Sequence, residues 1–116
     1  MATAPLPDNE LGMLIDDIRE LLAAPAPSEP RPFLDRLDAT LTSGYAQALQ
    51  LEAERWRLER RIGEVASRLS DEQSDLRTEE LAALTARLND ANENITMLRD
   101  LLGSLRARRT QLRDAA

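Results

Sequence analysis

Apolar residues recur along this chain at alternating spacings of three and four, and they do so over two long stretches. In the first, Leu34, Leu37, Leu41, Ala48, Leu51, Leu58, Ile62, Val65 and Leu69 share one stripe. In the second, Leu81, Leu84, Leu88, Ala91, Ile95, Leu98, Leu102, Leu105 and Leu112 do the same. That period is the signature of helices packing knobs into holes. It predicts helices over about 33–69 and 78–113, each roughly 50 Å long at 1.5 Å per residue. Rods of similar length joined by the polar stretch Ser70-Asp71-Glu72-Gln73-Ser74-Asp75 suit an antiparallel hairpin over 33–116 with its turn near 70–77. Ser70 and Gln73 have capping-box spacing within that turn.

A shorter pattern precedes the hairpin. Leu11, Leu14, Ile15, Ile18, Leu21 and Leu22 form a stripe opposite Asp16, Asp17 and Glu20, which predicts an amphipathic helix over 8–23. Asp8 is placed to cap it, after a flexible start at 1–7. Such a helix is too short to persist alone and must pack on the hairpin or on a partner. Pro25, Pro27, Pro30 and Pro32 mark a linker over 24–32 that prevents fusion with the next helix. The expected fold is all-α: a long antiparallel two-helix coiled-coil hairpin with a short N-terminal amphipathic helix packed on it or on a partner.

Folding the hairpin about its turn pairs residues whose numbers add to about 150. Leu69 then meets Leu81, Val65 meets Leu84, Ile62 meets Leu88, Leu58 meets Ala91, Leu51 meets Leu98 and Ala48 meets Leu102. Two positions interrupt the seam. Arg55, opposite Ile95, can lay its methylenes along the seam and send its guanidinium to water, which fixes register. Gly44, opposite Leu105, marks a bend or a close approach of the helices.

Beside the seam lies a second apolar edge. Tyr45, Leu49 and Trp56 widen the apolar face of the second helix over three turns, and a bare hairpin would leave them wet. A buried Trp hides about 150–250 Å², so something is expected to cover this edge. The facing flank of the third helix is almost uncharged, with Thr96, Met97 and Gly103, while Arg99 and Arg106 run between. Tyr45, Leu49, Trp56, Thr96, Met97, Arg99, Gly103 and Arg106 are therefore the candidate protein-interaction residues, and a helix is their expected ligand. The first helix is the nearest candidate to cover them, and a second copy of the chain or another protein would bury the same patch.

Composition removes most other chemistry. The chain has no cysteine and no histidine, hence no thiol nucleophile, no usual general base near neutral pH and no common transition-metal ligand. It also lacks a glycine-rich phosphate loop and a nucleophile elbow. No catalytic, metal or cofactor site is expected, and the chain is read as a non-enzyme. A net charge of −6 opposes general nucleic-acid affinity, although residues 99–116 hold five arginines against two aspartates. In the hairpin, that basic tail complements a helix C-terminus and lies near Asp35 and Asp38. There is no membrane-spanning run and no secretory leader pattern, so a cytoplasmic location is expected.

The stretch Ile95-Thr96-Met97-Leu98-Arg99-Asp100-Leu101-Leu102 resembles part of the second-helix pattern of actinobacterial anti-sigma-factor hairpins that respond to cyclic-di-GMP. Thr96 stands for the family's Ser and Arg99 for its Arg. Asn92, Gly103 and Ala107 stand where that motif has Glu, Gln and Asp. The resemblance implies a regulatory role related to sigma factors. The reading is a coiled-coil interaction module acting as a small regulator or adaptor. Its alternatives are a self-associating structural protein and a sensor of a cyclic dinucleotide.

Overall fold

The computed structural model describes residues 7–69 and 74–115, with side chains from Glu10 and, after the turn, from Asp75. It contains three helices, α1 (Pro7–Ala23), α2 (Pro30–Ala66) and α3 (Ser74–Ala115), and among the described residues no strand. The fold is all-α, a hairpin of α2 and α3 with a short N-terminal helix. The expected flexible start, the Asp8 cap and the Ser70–Gln73 capping pair lie wholly or partly outside the described residues.

The helix ends differ from expectation for local reasons. α2 begins at Pro30 rather than near Phe33, so the linker is confined to residues 24–29. Pro30 and Pro32 both fall in the first turn, where an amide has no intrahelical acceptor and a missing N–H costs nothing. At its other end α2 stops at Ala66 instead of Leu69. Arg68 N–H donates to the Val65 carbonyl at 3.0 Å and Leu69 N–H to the Ala66 carbonyl at 3.3 Å, a tightening to three-residue spacing that closes the helix. The Ser67 hydroxyl also donates to the Glu64 carbonyl at 2.8 Å, a local bond that competes with helix propagation. α3 starts four residues earlier than expected, with Asp75 in its first turn at the positive end of the helix dipole and Arg113 in its last turn at the negative end.

The chain divides into two compact units. Unit one joins the chain up to Ala48 with the chain from Met97 onward, and unit two is Leu49–Thr96. In unit one the α1 stripe, Leu11, Ile15, Ile18 and Leu21, is buried, as are Leu37 and Leu41 of α2 and Leu98, Leu102 and Leu105 of α3. α1 therefore packs within its own chain. It runs antiparallel to α2: Glu20 holds Arg36 at 2.8 Å, whereas Glu10 and Met13 share a groove with Thr40 and Ser43.

Two contacts fix unit one. Arg108 of α3 reaches the end of α1, donating to the carbonyls of Leu22 (3.2 Å), Ala24 (2.6 Å) and Pro25 (3.5 Å), and its guanidinium stacks 5.5 Å from the Phe33 ring centre. α1 has no basic residue in its own last turn, so a cation from α3 meets its negative end. The Nε of Arg108 is buried without an acceptor, a local cost of this reach. The second contact is at Gly44. A Cβ there would collide with Cδ2 of Leu102 and lie 3.3 Å from its Cγ. Gly44 thus marks a close approach, and its neighbour across the seam is Leu102 rather than the expected Leu105. Heptad arithmetic assumes a side chain at each seam position, and Leu102 occupies the room that this one leaves.

Unit two is a two-helix layer. Leu58, Val65, Leu84 and Ala91 form its buried cluster, with Ile62, Leu81 and Leu88 half-buried against it, the same residues that the seam brings together. Arg55 is half-buried and Ile95 is buried. Cross-helix ion pairs edge the layer: Arg61 to Glu80 at 2.7 Å, and Arg87 to Glu54 at 3.3 Å. The hydrogen bonds that Arg61 donates to Glu80, then the charge of Glu80 and the bond to Glu64, hold the guanidinium more firmly protonated than usual. These pairs are exposed and contribute little to stability.

Candidate functional site

The candidate interaction residues fall into both units. In unit one, Tyr45 is 40% exposed and its hydroxyl accepts a hydrogen bond from Arg106 at 3.0 Å. The two residues are joined to each other across α2 and α3, so the aromatic ring is held rather than loose. Met97 is partly exposed and Arg99 exposed. Gly103 is half-buried, with open space where a Cβ would stand, so the backbone of α3 can be approached there.

In unit two, Leu49 is 67% exposed and Trp56 is 59% exposed. They are seven residues apart on α2, with exposed Ala53 between them, so all three lie on one stripe. The Arg60 guanidinium sits 5.0 Å from the centre of the Trp56 ring. This cation–π contact, at the i,i+4 spacing of helix neighbours, orients the indole without burying it. Thr96 is exposed in the same unit.

The expectation that the first helix covers the Tyr45, Leu49 and Trp56 edge is overturned. α1 spends its apolar stripe on the core of unit one, and all three residues remain exposed. At Tyr45 the reason is face rather than reach: Tyr45 is two residues, about 200° of helix, beyond Ser43, which shares a groove with α1, and α1 turns back along α2 after a six-residue linker. Its start is then level with Thr40 and Ser43.

The basic tail also differs in part. Arg109 pairs with Asp38, as its position in the hairpin predicts. Arg108 instead serves the carbonyls at the end of α1, which sequence reasoning missed. The tail is expected to complement a helix C-terminus, but charge along the chain does not say that Arg108 would meet the end of α1. Arg60 was overlooked too, although its signal, a cation four residues after a tryptophan, is plain in the sequence.

Among the described residues, no helix is long and apolar enough to cross a membrane, and no group of three or more carboxylates could hold a metal ion. No protein-family model, curated protein or solved structure matches the chain.

Proposed function

We propose that this chain is a non-enzymatic protein-interaction module of the cytoplasm, a small regulator or adaptor that receives a partner helix on the exposed stripe of α2. The observation that carries this reading is the exposure of Leu49 and Trp56 on one stripe, with the indole oriented by Arg60. Singly exposed apolar residues are ordinary, but a leucine, an alanine and an oriented tryptophan at i, i+4 and i+7 form the spacing of helix recognition. Tryptophan and arginine are also the residue types that dominate binding energy at interfaces. The regulatory part rests on the resemblance of residues 95–102 to sigma-factor regulators.

The test is an affinity capture with the wild-type chain and with Trp56→Glu, accompanied by light scattering over a range of concentrations. A partner retained by wild type and lost by the variant is the expected result. Identical partner sets refute the site. A concentration-dependent dimer that Trp56→Glu dissolves would assign the stripe to self-association instead.

A further inference from the structure

Unit one carries a groove that its core does not use. Where α1 lies along α2, the two helices flank an open cleft of about 480 Å³. Its α1 wall is Glu10, Met13, Leu14 and Asp17, and its α2 wall is Arg36, Ala39, Thr40 and Ser43. Each wall covers two helical turns, about 10 Å.

The walls differ in chemistry, and each difference constrains the occupant. Met13 is 69% exposed, the most exposed of the large apolar side chains among the described residues, and stands off the buried stripe of α1 beside half-buried Leu14. The fold does not need it there, and a methionine offers a flexible, polarisable contact that adapts to a partner. Beyond Arg36 at one end, the opposite wall is small and makes few polar demands. Ala39 and Ser43 are one turn apart, and the Thr40 hydroxyl already donates to the Arg36 carbonyl at 3.0 Å. Another helix can therefore come close.

Charge supplies the last constraint. Glu10 and Asp17 are two turns apart on the same edge of α1. Across the groove, Arg36 is held by Glu20 at 2.8 Å, so its charge is already met. Arg19 is the only basic residue of α1, and two residues from Asp17 it points to a different side of the helix. The edge is acidic and calls for cations.

We propose that this groove docks an amphipathic helix of a protein partner. That helix places apolar side chains against Met13, Leu14 and Ala39, and its basic residues, two turns apart, meet Glu10 and Asp17. The proposal does not rest on the stripe of Leu49 and Trp56, which belongs to unit two.

The probe is a synthetic helical peptide with leucines at i, i+4 and i+7 and two arginines seven residues apart, titrated into the full chain and followed by NMR. A sister peptide carries glutamates in place of the arginines. The basic peptide should shift the Met13 methyl and the amides of residues 39–43 and leave Trp56 fluorescence unchanged. Its binding should weaken on adding salt, and the acidic sister should not bind. Glu10→Arg with Asp17→Arg should lower affinity about tenfold or more, equivalent to about 1.4 kcal/mol. Both positions are exposed, and Met13→Ser provides a second, uncharged test should the double variant lose helicity. The proposal is overturned if Met13 shows no saturable shift, if the variants bind as wild type does, or if the peptide moves Trp56 emission instead. A dimer in the absence of peptide, dissolved by the same variants, would give the groove to a second copy and also overturn it.

Discussion

Unit one and unit two are built from the same two long helices, yet they bury their seams to different depths. In unit one, Ile18, Leu37, Leu98 and Leu105 lose all or nearly all of their exposure, because α1 closes the open side of the hairpin. In unit two, Val65 alone of the buried cluster is fully enclosed, and Ile62, Leu81 and Leu88 keep a wet edge. Two helices meet along a line, so each seam residue has a partner on one side only. A third helix turns that line into a core. Stability should therefore concentrate in unit one, while the exposed stripe of unit two remains free to change.

The sharpest way to break this contrast is to remove equal volumes from both units. Ile18→Ala should cost about 3–4 kcal/mol, because a fully buried aliphatic side chain leaves a cavity that helices on several sides cannot collapse. Leu88→Ala, half-buried in unit two, should cost about 1–2 kcal/mol. Urea denaturation of both variants measures the difference. Equal losses would show that the third helix adds no depth to the core.

Next in size is the clamp on α1. Arg108→Ala removes three carbonyl partners and the stacking on Phe33, at a cost of about 2 kcal/mol. Arg108→Lys should recover part of that loss, since it keeps the charge but not the planar fork. Hydrogen exchange should quicken in α1 before it does in α2. If α1 keeps its protection in Arg108→Ala, the clamp is not what holds it.

Glycine offers a smaller comparison with opposite signs. Gly44→Ala in unit one meets Leu102, which is itself buried and cannot swing away, so overpacking outweighs the gain in helix propensity, with a net loss of about 1 kcal/mol. At Gly63 in unit two a Cβ meets nothing, and Gly63→Ala should raise stability by up to about 1 kcal/mol. Thermal melts decide both. Gains at both positions would mean that α3 does not approach α2 closely at Gly44.

How far these features were legible follows from what each depends on. The leucine seam and the α1 stripe are periodic, and period survives without coordinates. Hence the helices, the hairpin and the unit-two cluster could be read directly. The start of α2 could not, because Pro30 and Pro32 suit a linker and a first helical turn alike. Leu102 at Gly44 was hidden by the assumption of a uniform seam. The destination of Arg108 and the groove beside Met13 both require knowing which face of the hairpin α1 takes. Tyr45, Leu49 and Trp56 lie outside the seam, as their spacing predicts, but their cover was assigned to a helix whose apolar stripe is spent on the core of unit one.

The smallest expected effect tests the functional half of the comparison. Leu49→Gln and Trp56→Gln remove apolar side chains that are already mostly in water, so each should change stability by less than about 0.5 kcal/mol. Trp56→Gln also removes the contact with Arg60, but an exposed cation–π pair is worth only about 0.5–1 kcal/mol and its loss is partly offset by glutamine's better helix propensity. A residue that is costless to replace in the free chain but whose replacement weakens a complex contributes through binding, not folding. If urea melts instead reveal losses as large as that of Leu88→Ala, these side chains hold unit two together, and the stripe is part of its fold rather than a surface kept for a partner.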